Sequence, residues 1–97
     1  MAMYLVEMSQ SGPQWQAAKP MEEQSLWDAH ADFMDDLVDS GFIVLGGPVR
    51  DEGRVVHAVE ADSPEHVRAT LARDPWSDTH LRLESIDPWT IRLDGRR

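Results

Sequence analysis

Phe42-Ile43-Val44-Leu45 is apolar without a break, and Val55 to Ala61 again carries apolar residues in both alternating registers. A strand that is apolar on both sides must bury both faces of its sheet. The chain offers only two helical stretches to pack against such a sheet, and two helices cover one face. The other face needs a second cover. A second copy of the chain packed sheet to sheet supplies it, so a homodimer is expected.

The remaining elements follow from local signals. Met3 to Met8 is a short apolar run with Val6 and Tyr4, closed by turn formers from Ser9 to Pro13, and reads as strand one. Helix one starts at Pro20, where a missing N–H costs nothing, or at Ser25, where Ser25-Leu26-Trp27-Asp28 resembles a capping box. It runs to Ser40, and Gly41 can take the left-handed conformation that closes it. Asp28, Asp32, Asp35, Asp36 and Asp39 form an acidic outer stripe, read as a solvated face rather than a metal site. Gly46-Gly47-Pro48 is expected to end strand two, and Asp51-Glu52-Gly53 to turn into strand three. Ser63-Pro64-Glu65 starts helix two, with Val67 and Leu71 facing inward. The last strand is expected from near His80 through Leu81 and Leu83, continuing to Trp89, Ile91 and Leu93. Pro88 requires it to lie at an edge or to be bulged there. The order is βαββαβ: an α+β, ferredoxin-like single domain over residues 1–97 with an antiparallel sheet.

Composition removes several classes of partner. A net charge of −9 with no basic patch repels phosphate backbones and anionic lipid, so no nucleic acid and no membrane partner is expected. There is no cysteine, which removes disulfides and thiolate chemistry and suits a reducing compartment. With no apolar run of membrane-spanning length and no secretion-signal pattern at Met1-Ala2-Met3-Tyr4-Leu5, the expected location is the cytoplasm.

One residue breaks the pattern of helix one. His30 falls among Leu26, Phe33, Met34 and Leu37, on the face that should be buried. Asp74-Pro75-Trp76, after helix two, offers a carboxylate at a turn with an aromatic wall beside it. An imidazole and a carboxylate meeting in a cleft can transfer protons, the carboxylate fixing the tautomer and balancing the imidazolium. Other readings exist: His30 as a satisfied core histidine, Asp74 as a turn residue before proline, Trp76 as core. Gly46, Gly47 and Pro48 form a turn whose glycines also allow a ligand close to the backbone. His57, His66 and His80 share no metal-ligand spacing with His30, and no Gly-x-Ser-x-Gly pattern is present. No metal site and no cofactor is expected.

Trp27-Asp28-Ala29-His30-Ala31-Asp32-Phe33-Met34, Gly41 to Pro48, Ala69 to Leu71 leading to Asp74-Pro75-Trp76, and Asp87-Pro88-Trp89 occur in this order over nearly the whole chain. Together they resemble the YCII-related (YciI-like) family of the dimeric α/β-barrel superfamily. The resemblance implies a ferredoxin-like protomer, a dimer whose sheets form a barrel, and an active site on His30 and Asp74. The superfamily is similar to muconolactone isomerases and cofactor-free monooxygenases, which act on small cyclic or aromatic molecules. Ser11 to Gln24, with Trp15, is longer than the typical connection after strand one and can reshape the pocket entrance.

The expected function is a small cofactor-independent isomerase or lyase acting on a small carbonyl or phenolic ligand. His30 transfers the proton, Asp74 orients it, and Trp76, Gly46, Gly47 and Pro48 contact substrate. A non-catalytic ligand-binding or accessory module, or a dimeric interaction domain, uses the same composition.

Overall fold

A computed structural model describes residues 2–49 and 53–96. Seven elements follow one another: β1 (Ala2–Ser9), a 3-10 turn (Met21–Glu23), α1 (Trp27–Asp39), β2 (Ile43–Val49), β3 (Arg54–Ala61), α2 (Pro64–Leu71) and β4 (Arg82–Pro88). The sheet order is β2-β3-β1-β4, with every adjacent pair antiparallel. This α+β architecture is compatible with the ferredoxin-like arrangement. Asp51 and Glu52 of the expected hairpin turn lie outside the described residues, and Gly53 has φ +62. No helix among the described residues is long and apolar enough to cross a membrane.

Alternation along the central strands decides which face is the core. Tyr4, Val6 and Met8 of β1 and Val55, Val59 and Ala61 of β3 are buried together with Leu37 of α1 and Val67 and Leu71 of α2. α2 is capped as its sequence requires: Ser63 accepts a hydrogen bond from the His66 backbone N–H at 3.0 Å, with Pro64 in the first turn. Gly41, at φ +85, closes α1.

Four boundaries differ from the sequence reading. Neither expected start of α1 is used as such. Pro20 precedes only the 3-10 turn, and Ser25 does not cap the helix because its side chain and carbonyl are engaged elsewhere. Leu26 instead turns into the helix in the left-handed region, at φ 63.

Gly46-Gly47-Pro48 does not end strand two but forms its second half, paired with His57, Val56 and Val55. Proline is tolerated there because β2 is an edge strand with one side free of ladder bonds. The register of β2 slips between Ile43, opposite Val59, and Leu45, opposite Ala58, which leaves Val44 as a bulge.

The last strand begins at Arg82, because His80 is held in the preceding turn by its backbone N–H bond to the Trp76 carbonyl. It ends at Pro88, so Trp89, Ile91 and Leu93 are not strand residues. β4 is at the sheet edge, as Pro88 demands. Its bulge, however, is at Glu84, between the pairs Glu7–Ser85 and Met8–Leu83.

Candidate functional site

His30 lies one turn into α1 with its ring directed at the turn after α2. Its Nδ1 is 2.8 and 2.9 Å from the two carboxylate oxygens of Asp74, and both residues are buried. A carboxylate can only accept, so Nδ1 carries a proton, and in the neutral imidazole Nε2 holds the lone pair. Nε2 has no hydrogen-bond partner among the described residues.

Asp74 also accepts from the Trp76 backbone N–H at 2.9 Å through the same Oδ1. This is the local turn favoured by Asp before Pro, so the turn role and the pairing role coincide in one side chain. The turn carries Trp76 under α1. Its ring, 1% exposed, stacks on His30 at 4.0 Å and 8° and on His80 at 4.8 Å and 15°. The indole N–H donates to the Ser25 carbonyl at 2.9 Å. Trp76 is therefore both core and wall.

His30 and Trp76 open onto a cavity of about 290 Å³, whose lining includes Trp27, Met34, Gly47 and Pro48. This volume suits a small molecule of one ring. Of the residues expected to contact a ligand, Trp76, Gly47 and Pro48 line the cavity. Gly46 does not, because it lies under His57.

His57, on β3, lines the same cavity and was not singled out from the sequence. It shares a register with Val55, Val59 and Ala61, the buried face of the strand. Burial first, then the positive form of His30, push its pKa down from 6.5 to about 4, against the pull of Asp74.

His80 is also buried, but both of its nitrogens are satisfied. Nε2 lies 2.9 Å from Ser25 Oγ and Nδ1 lies 2.9 Å from Thr79 Oγ1. Burial lowers its pKa as well. His80 is a brace between the turn and the start of α1, which is why Ser25 is unavailable as a cap.

The connection after β1 packs on this turn. Gly12 and Gln14 donate backbone N–H bonds to the His80 and Thr79 carbonyls at 3.1 and 2.7 Å, and Trp15 meets Trp76 edge-on at 5.8 Å. Met21 from the same segment also lines the cavity. Among the described residues, no group of three or more His, Asp or Glu side chains is arranged to hold a metal ion. No known protein-family model matches the chain and no curated protein matches it, so the chemistry of the cavity rests on its own residues.

Proposed function

We propose that the chain is a small cofactor-independent enzyme of the isomerase or lyase type, with His30 as general base and acid toward a small carbonyl or phenolic molecule. The observation that carries this reading is the His30–Asp74 contact in a buried wall, with Nε2 left without a partner among the described residues beside an apolar cavity. Asp74 holds the Nδ1 proton, so Nε2 takes a proton from the substrate and returns it at another atom. The imidazolium formed between is balanced by the carboxylate. Among the described residues no Ser, Thr or Lys side chain lines the cavity beside the pair, which sets acyl transfer aside. Membership of the YCII-related family is part of the proposal and accords with the His–Asp placement.

Association as a homodimer belongs to the same reading. Its support is the sheet face away from the helices, where Leu45 is 63% exposed and Leu93 80%. Leu45 and Val44 border one groove there with Trp89, Ile91 and Leu93. A monomer leaves this apolar surface in water.

The test is deuterium exchange at the carbons next to the carbonyl of acetophenone and cyclohex-2-enone in D2O. Protein-dependent exchange that falls by about 10²-fold or more in His30→Gln, and by a smaller factor in Asp74→Asn, is the expected result. Exchange equal in the native protein and His30→Gln would overturn catalysis and leave a ligand-binding module.

A further inference from the structure

Trp76 is stacked on both faces. His30 lies nearly parallel to it on one side and His80 on the other. The indole N–H donates to the Ser25 carbonyl, and the Ser25 hydroxyl meets His80 Nε2 at 2.9 Å. One residue at the entry to α1 therefore holds both the indole and the imidazole behind it. Trp76 cannot tilt away from His30 without giving up the Ser25 bond.

The two imidazoles differ in what their nitrogens face. The Thr79 hydroxyl donates its only proton to the Pro75 carbonyl at 2.9 Å, so its oxygen accepts from His80 Nδ1–H. His80 Nε2 then accepts from the Ser25 hydroxyl, and the neutral ring satisfies both partners. Burial favours that neutral form and lowers the His80 pKa. His30, by contrast, has the Asp74 carboxylate at Nδ1, the partner that suits a positive ring.

The face of an indole is the negative side of its quadrupole. A cation within about 6 Å of the ring centre is attracted to it, more strongly where water is excluded. Trp76 is almost fully buried, and a proton on His30 places the charge 4.0 Å from its centre. A neutral imidazole at the same place lacks this attraction to the negative face. The stack therefore favours the charged ring over the neutral one.

We propose that Trp76 is a positioning residue for proton transfer: its indole face stabilises the imidazolium of His30, and His80, neutral on the opposite face, fixes the indole without placing a second charge on it. The proposal rests on His30 as the group that takes up the proton, and on no particular ligand. Three other groups act on that charge. Asp74 attracts it at Nδ1, His57 of β3 is held neutral near pH 7 by its burial, and Asp35 of α1 shares the cavity lining. Asp74 acts at the ring edge and Trp76 at the ring face, so the second effect can be changed without touching the first.

Fluorine on an indole withdraws electron density from its face and nearly preserves its shape. Producing the chain with mono-, di- or trifluorotryptophan replaces all four tryptophans. Trp27 also meets His30, at 5.8 Å and 47°, so the series is made in Trp27→Phe. NMR titration of the His30 Cε1–H is expected to show the proton held more weakly with each added fluorine, by about threefold or more with three. A tryptophan that only fills space leaves the titration where it was.

A titration that does not move along the series overturns the proposal and leaves the His30-dependent exchange of acetophenone to its own test. Absence of that exchange, in turn, does not move the fluorine trend, so the two failures are distinct. Should the fluorinated chains not fold, the native spectrum decides. An imidazolium that stays on the indole keeps the upfield ring-current displacement of its Cε1–H to the acid end of the titration. Loss of that displacement on protonation overturns the proposal.

Discussion

Gly46 and Gly47 are adjacent in the chain and opposite in consequence. A methyl group on Gly46 lands on the His57 ring, whereas one on Gly47 meets nothing within 4 Å. Gly46→Ala is therefore expected to destabilise the fold by about 1–3 kcal/mol through forced displacement of the imidazole. Gly47→Ala is expected to be neutral to within about 0.5 kcal/mol. Urea denaturation of both variants checks this, and equal stabilities would mean that the ring does not rest on Gly46. Two neighbouring glycines before a proline read as a turn from sequence, because nothing local says that one is needed for a side chain on the next strand. His30 and Asp74 were legible for the opposite reason. A polar residue on an apolar helix face and an Asp-Pro turn are anomalies within their own segments. His57 was hidden because β3 is apolar in both registers, so alternation alone did not mark an inside.

At the scale of elements, the strands and helices were legible wherever periodicity and capping agreed, as at Ser63-Pro64. Boundaries failed where tertiary contacts took over a local signal, as when His80 and Trp76 claimed Ser25. The connection from 11 to 24 shows the same effect. Its order comes from Gln24, which is buried and spends its whole amide on the segment. The amide accepts from the Gln16 N–H at 2.9 Å and donates to the Gln16 and Lys19 carbonyls at 2.7 and 3.0 Å. β2 carries the other element-scale result. The bulge puts both Val44 and Leu45 on the outer groove, where strict alternation would place one of them toward the helices. If the outer face is where copies associate, Leu45→Glu buries a charge at that interface and is expected to lower the mass from twice 11.0 kDa to that of one chain. Light scattering at micromolar concentration reads this directly. A native protein that already gives the single-chain mass would remove the dimer.

For the whole molecule, the buried histidine ties stability to pH. The folded chain holds His57 at about 4 while the unfolded chain titrates near 6.5. Above 6.5 neither state binds the proton, and His57 makes no difference. As the pH falls toward 4 the unfolded state takes up a proton that the folded state refuses, so stability is lost across this window and the loss is complete below it. Between pH 7 and pH 5 the linkage amounts to about 2 kcal/mol. Most carboxylates remain ionised at pH 5, so relief of the acidic surface's self-repulsion does not yet mask the effect. His80, lowered by burial, acts in the same direction. The comparison that isolates His57 is His57→Gln, which has nothing to titrate in this range. Urea denaturation is expected to show the native protein losing about 2 kcal/mol more than His57→Gln between these two pH values. Equal losses would mean that His57 is protonated in the folded state as readily as in the unfolded one.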